Sequence, residues 1–161
     1  MSGPDLETVV LLLTSVGSGL VGGVFFAFSA FVMKALADLP AATGVAAMQR
    51  INVVVLNPLF LGLFVGTALL ALACIGMAAF AWGGTRSWLL FAAGLSYALG
   101  AFGVTVAFNV PRNERLARLA AGSPELLAYW PVYVREWLAW NHVRTFASAV
   151  AAMLAAAALA A

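Results

Sequence analysis

Long apolar runs without a single charge organise this chain. Thr8 to Met33, Ile51 to Trp82 and Ser87 to Val110 each pass without Asp, Glu, Lys or Arg, and an Ala-rich run covers Thr145 to Ala161. A helix needs about 20 apolar residues to cross about 30 Å of hydrocarbon, whereas a barrel strand shows only about ten, with alternating polarity. These runs are helix-length and do not alternate. They predict an all-α, four-helix transmembrane bundle forming a single domain over residues 1–161, with helices at about 6–35, 44–82, 86–110 and 136–160. The chain is 65% hydrophobic and 9% charged. An average soluble domain has about 45–50% and about 25%, so an ordinary core with a solvated surface is excluded. One cysteine cannot make an internal disulfide framework. No basic patch is interleaved with aromatics, so the expected partner is the lipid bilayer and not nucleic acid. A homo-oligomer is compatible with this reading.

Charge sets the expected orientation. Lys34, Arg50, Arg112, Arg115, Arg118, Arg135 and Arg144 lie in or beside the first and third connections, and only Arg86 lies on the opposite side. The positive-inside preference then puts connections one and three in the cytoplasm and both termini outside, in a multi-pass protein of the cell (inner) membrane. Asp5 and Glu7 flank the first run, which reads as a retained helix and not as a signal peptide. The connection from Pro111 to about Trp137 is expected to be a long interfacial loop carrying Tyr129, Trp130, Tyr133 and Trp137. Ser15, Gly19, Gly23 and Ala27 recur every four residues on helix one, as Ala147, Ala151 and Ala155 do on helix four. Both stripes suggest close helix packing.

Polar side chains near membrane depth are costly and carry the functional signal. They are Gln49, Arg50, Asn52, Asn57, Thr105, Asn109, Asn113, Asn141, His142 and Arg144, all toward the expected inner ends of helices two, three and four. Thr105 and Asn109 share a face at i, i+4, and Trp137, Asn141 and Arg144 form an i, i+4, i+7 stripe with His142 one position round. Asn57-Pro58 should kink or restart helix two, because proline removes a ladder bond. Asparagines at helix ends are commonly caps, which is the plain alternative for Asn57, Asn109 and Asn113. Arg112, Arg115 and Arg118 read first as headgroup contacts. Arg144 reads either as a snorkelling residue or as a bundle residue that Glu136 or Asn141 could pair.

His142 is the only histidine, and histidine is the side-chain type that changes charge near neutral pH. As a general base it would suit removal of a weakly acidic C–H or phenolic proton from a lipophilic substrate, with Arg144 stabilising the resulting oxyanion. One histidine and one cysteine cannot build a facial-triad iron site, a tetrahedral zinc site or bis-histidine haem, so no metal site is expected. There is no dinucleotide fingerprint.

The stretches GGVFFAFSAFVMKAL (22–36), AAMQRIN (46–52), FGVTVAFNVPRNERLA (102–117) and WNHVRTFAS (140–148) resemble the DUF1772 family of small four-helix membrane proteins, which includes the anthrone oxygenases. The resemblance covers nearly the whole chain. It implies oxidation of an anthrone to an anthraquinone by O2, with no metal, flavin or other cofactor. It marks Gln49, Asn52, Asn109, Asn113, Trp140, Asn141, His142 and Arg144 as positions matching the family pattern. His142 would deprotonate the substrate, and Asn141, Asn52 and Arg144 would hold the oxyanion. Tyr133, Trp137 and Trp140 would stack on the ring, with Gln49, Asn109 and Asn113 completing the binding site. Two other readings use the same residues: a non-enzymatic carrier for a hydrophobic metabolite or lipid, and a small channel or accessory subunit with the polar cluster as glue between helices.

Overall fold

In the computed structural model, which describes residues 5–120 and 122–161, the architecture is helical, with no strand among the described residues. Four helices are long and apolar enough to cross a membrane: α1 (Leu6–Ala37), α3 (Pro58–Phe80), α4 (Gly84–Arg118) and α5 (Pro124–Leu159). A shorter helix, α2 (Ala41–Val54), lies between α1 and α3. The chain is a multi-pass membrane protein. Leu59, Phe80 and Phe146 are 85%, 96% and 73% exposed, an outer surface suited to lipid rather than water.

Local chemistry sets the helix starts. Asp5 caps α1 by accepting the Thr8 N–H at 2.8 Å, and that hydrogen bond holds its carboxyl below the usual carboxylate range. Ser123 caps α5 through Leu126 N–H at 3.2 Å, with Pro124 in the first turn, where a missing N–H costs nothing. The 55–57 break is a true restart. Asn57 accepts the Phe60 N–H at 3.0 Å, and its own amide donates to the Val54 carbonyl at 2.9 Å, closing one helix and opening the next. Asn57→Ala should therefore destabilise the bundle by about 1 kcal/mol in a detergent unfolding titration. The α3–α4 turn needs Gly83 and Gly84, whose φ values of 149° and 77° are unfavourable for other residues.

Two features depart from the sequence expectation. The segment after Pro111 is not a long loop. It is helical up to Arg118 and again from Pro124, and the aromatic segment forms the first turns of α5. Helix α4 carries through Pro111 by way of a π-helical turn at Thr105–Asn109, whose wider ladder tolerates the lost donor. The packing stripe on α1 also lies on a different face. Gly19 and Gly23 have open space around them, whereas Gly17 packs on Thr67, and a Cβ at Gly22 would lie 3.0 Å from that of Ser148. Thr14, Ser18 and Gly22 therefore mark the close approach to neighbouring helices, while Ala147, Ala151 and Ala155 of α5 are buried as expected.

The core has three levels. Val10, Leu11, Cys74 and Leu90 pack at one end, and Phe25, Phe64 and Tyr97 at the middle. Met33, Met48, Leu116, Trp130 and Tyr133 pack at the end that also carries most of the arginines. Helix α2 closes this Arg-rich end, with Gly44 seated against the Leu36 carbonyl and the Trp130 ring. Helices of 32, 35 and 36 residues outreach the hydrocarbon. Counting about 20 residues from the opposite end of each reaches Phe25 in α1, Gly103 in α4 and Trp140 in α5. These three agree on one level, where the apolar slab meets the Arg-rich end.

Candidate functional site

Arg144 lies within about one turn of that level and is 4% exposed. A guanidinium so placed is expensive, at about 2.5–3.5 kcal/mol toward a bilayer centre. Its neighbours account for part of its stabilisation. Nη2 donates to Asn141 Oδ1 at 2.6 Å and Nη1 to Thr105 Oγ1 at 3.2 Å. The cation also lies 4.2 Å from the Phe25 ring centre and 4.9 Å from that of Trp137. Such contacts contribute about 0.5–2 kcal/mol each. Among the described residues, no carboxylate pairs with it. Glu136, a candidate partner from sequence, instead accepts from Arg112 Nε at 3.0 Å.

Asn141 fixes the geometry. Its amide nitrogen donates to the Phe25 carbonyl at 2.7 Å and to Ser29 Oγ at 2.8 Å, so its oxygen must face Arg144. The Phe25 carbonyl lies just before irregular backbone: α1 turns π-helical over Phe28–Val32, as α4 does over Thr105–Asn109. Such bulges are frequent at functional sites because they re-aim side chains.

Four polar atoms around this centre are buried without a partner: Arg144 Nε, Trp137 Nε1, Asn52 Nδ2 and Asn109 Oδ1. Three of the four are N–H donors. Native structures rarely leave buried donors unmet, and each is worth about 1–3 kcal/mol to a group that satisfies it. A cation with one free N–H of its own and two free donors beside it suit an oxygen that carries or develops negative charge.

Several sequence candidates meet here. Tyr133 is fully buried, donates to Asn113 Oδ1 at 2.8 Å and has Asn52 beside its phenol. The Trp137 ring packs at 5.5 Å from Phe28 and 6.5 Å from Tyr133. Asn109 donates to the Trp137 carbonyl at 3.1 Å, and Gln49 to the Leu116 carbonyl at 3.0 Å; both tie helices together. The Trp140 ring, half-buried, stacks on Phe108 of α4 at 3.6 Å and 8°. One candidate lies elsewhere. His142 is exposed on the lipid-facing side of α5, in an open groove of about 410 Å³ with Phe26, Ser29, Thr145 and Phe146. At about 100° per residue, position 142 lies about 200° from 144, so the two cannot share a face. Groove and buried cation are nevertheless joined. Ser29 Oγ bonds Thr145 Oγ1 at 3.2 Å on one side and Asn141 on the other.

Sequence reasoning missed the hydroxyls of the apolar half. Thr14, Ser18, Thr67 and Ser148 are buried there, Thr14 donates to the Val10 carbonyl at 2.7 Å, and Tyr97 reaches the Phe64 carbonyl at 3.1 Å. The i, i+4 spacing of Thr14 and Ser18 on α1 was the available signal. Thr14 also meets Cys74 Sγ at 3.5 Å across helices, whereas Ser18 and Ser148 pack without a hydrogen-bond partner.

Residues 58–154, more than half of the chain, match the model of a family described as anthrone oxygenase. No curated protein and no solved structure matches the chain.

Proposed function

Because the chain belongs to the anthrone oxygenase family, we propose that it oxidises a lipophilic, anthrone-like aromatic with O2 inside the membrane. The observation that carries this reading is Arg144, a buried cation that no carboxylate pairs among the described residues, with the unmet donors Trp137 Nε1 and Asn52 Nδ2 nearby. An anthrone has a carbonyl across the ring from an acidic methylene. Loss of one methylene proton puts negative charge on that carbonyl oxygen, where Arg144 and Asn52 hold it, Asn141 orients the guanidinium, and Tyr133 and Trp137 flank the ring. The electron-rich enolate passes an electron to O2, and the radical pair couples to a carbon-bound peroxide. Loss of the second proton breaks the O–O bond, leaving one oxygen as the new carbonyl and the other as water.

Asn113 positions the Tyr133 phenol, and Asn109 and Gln49 hold the helix ends around it. His142, which lines the groove with Ser29, takes the proton on that side; Ser29 in turn bonds Asn141, the partner of Arg144. The excess of Lys and Arg at one end supports placing that end in the cytoplasm. O2 uptake by the full-length protein in nanodiscs, with a dihydroxyanthrone, tests the assignment. His142→Ala should slow uptake by about 10²-fold or more if the imidazole is the base. Unchanged uptake would remove His142 from the chemistry.

A further inference from the structure

We propose that the substrate class, a flat lipophilic hydroxyarene, enters from the bilayer through the groove between α1 and α5 and first docks with its ring oxygen at His142. The proposal rests on the reading of Arg144 as the oxyanion holder and adds the route by which ligand reaches it. The groove holds about 410 Å³, within the roughly 300–1,000 Å³ of ligand sites. Phe26 and Phe146 are 61% and 73% exposed and offer their faces to a ring. His142 supplies a polar head on an otherwise apolar wall, where an intramembrane ionisable group calls for a reason. The floor is the Ser29–Thr145 hydroxyl pair, and Ser29 leads by one further hydrogen bond to Asn141 and thence to Arg144.

The groove between α4 and α5 is the informative contrast. It is of similar size, about 440 Å³, and lies at the same lipid-facing surface. Its hydroxyl, Ser96 Oγ, is already bonded to the Ala147 carbonyl at 2.9 Å, and among the described residues that line it no other side chain is polar. A lipid chain satisfies that groove. In the His142 groove Ser29 and Thr145 are likewise bonded, but the imidazole is a polar group that a hydrocarbon chain cannot match and a ring-borne oxygen can.

Ala30 and Ala149 line the groove, are exposed and touch neither Arg144 nor its partners. In nanodiscs with a dihydroxyanthrone, Ala30→Trp and Ala149→Phe should each raise KM, and weaken anaerobic binding, about 10-fold, with kcat within about twofold of wild type. Leu99→Trp, which fills the other groove, should change neither. If both groove variants bind and turn over like wild type while Arg144→Gln abolishes turnover, the entry route is overturned and the oxidase reading stands. If the wild type never turns over, yet Ala30→Trp still weakens binding relative to Leu99→Trp, the oxidase reading fails and the groove stands.

Discussion

Arg144→Gln lowers O2-dependent turnover by about 10²–10³-fold, the usual effect of removing one preorganised oxyanion donor. The bundle should stay folded, because glutamine is shorter, neutral and still able to donate toward Thr105 and Asn141. Removing an unneutralised cation also relieves the cost of holding it at membrane depth. A companion variant neutralises the charge in place. Asn141→Asp sets a carboxylate at the position that now accepts from Arg144 Nη2 at 2.6 Å. The new ion pair neutralises the guanidinium, so turnover per folded molecule falls as far as in Arg144→Gln, while the lost amide donor to the Phe25 carbonyl and Ser29 offsets the ion pair's gain in folding. A purely structural Arg144 would preserve turnover per folded molecule in both variants. The measurement is initial-rate O2 uptake in nanodiscs, normalised to folded protein.

The second large effect is on assembly. Gly94 of α4 is packed so that a Cβ would run into the Ala71 carbonyl of α3 and lie close to the Ile75 side chain and backbone. Backbone cannot step aside as a flexible side chain can, so Gly94→Val must separate α3 from α4. The expected cost is at least about 1–3 kcal/mol, enough to lose most folded protein in a marginal bundle. Gly76 of α3 meets nothing within 4 Å, so Gly76→Ala should be neutral or stabilising by about 0.5–1 kcal/mol through helix propensity. A denaturant titration in detergent checks the pair. Equal effects at both positions would contradict the packing.

Much of this was legible in the residues. Charge-free runs of helix length fix the number of spans because the bilayer has one thickness and backbone inside it must pair with itself. Asn57-Pro58 announced a restart, since the pair combines a cap with a first-turn proline. The Trp137–Asn141–Arg144 stripe fixed a shared face, and two of its members touch Arg144 itself. Other features were hidden for physical reasons. Pro111 looked like a helix end because an α-helical ladder would lose a bond there, and nothing local signals that a π-helical turn will absorb it. The segment after it looked like a loop because its apolar residues are mixed with arginines. Those arginines line the exposed side of helices that simply outlast the membrane. The α1 stripe was ambiguous because small residues occur on two faces, and only the neighbours choose between them.

The place of His142 is legible in angular spacing: at about 100° per residue it lies about 160° round the helix from Arg144, on the groove side.

The central claim is that the buried Arg144 guanidinium holds the substrate as an oxyanion. Anaerobic absorbance titration of a dihydroxyanthrone into the protein in nanodiscs tests it without any contribution from O2 chemistry. The bound ligand should shift to the long-wavelength spectrum of its deprotonated form with the wild type, and should keep the neutral spectrum with Arg144→Gln. A ligand that stays neutral on the wild type, or one that ionises equally on both proteins, would contradict the account.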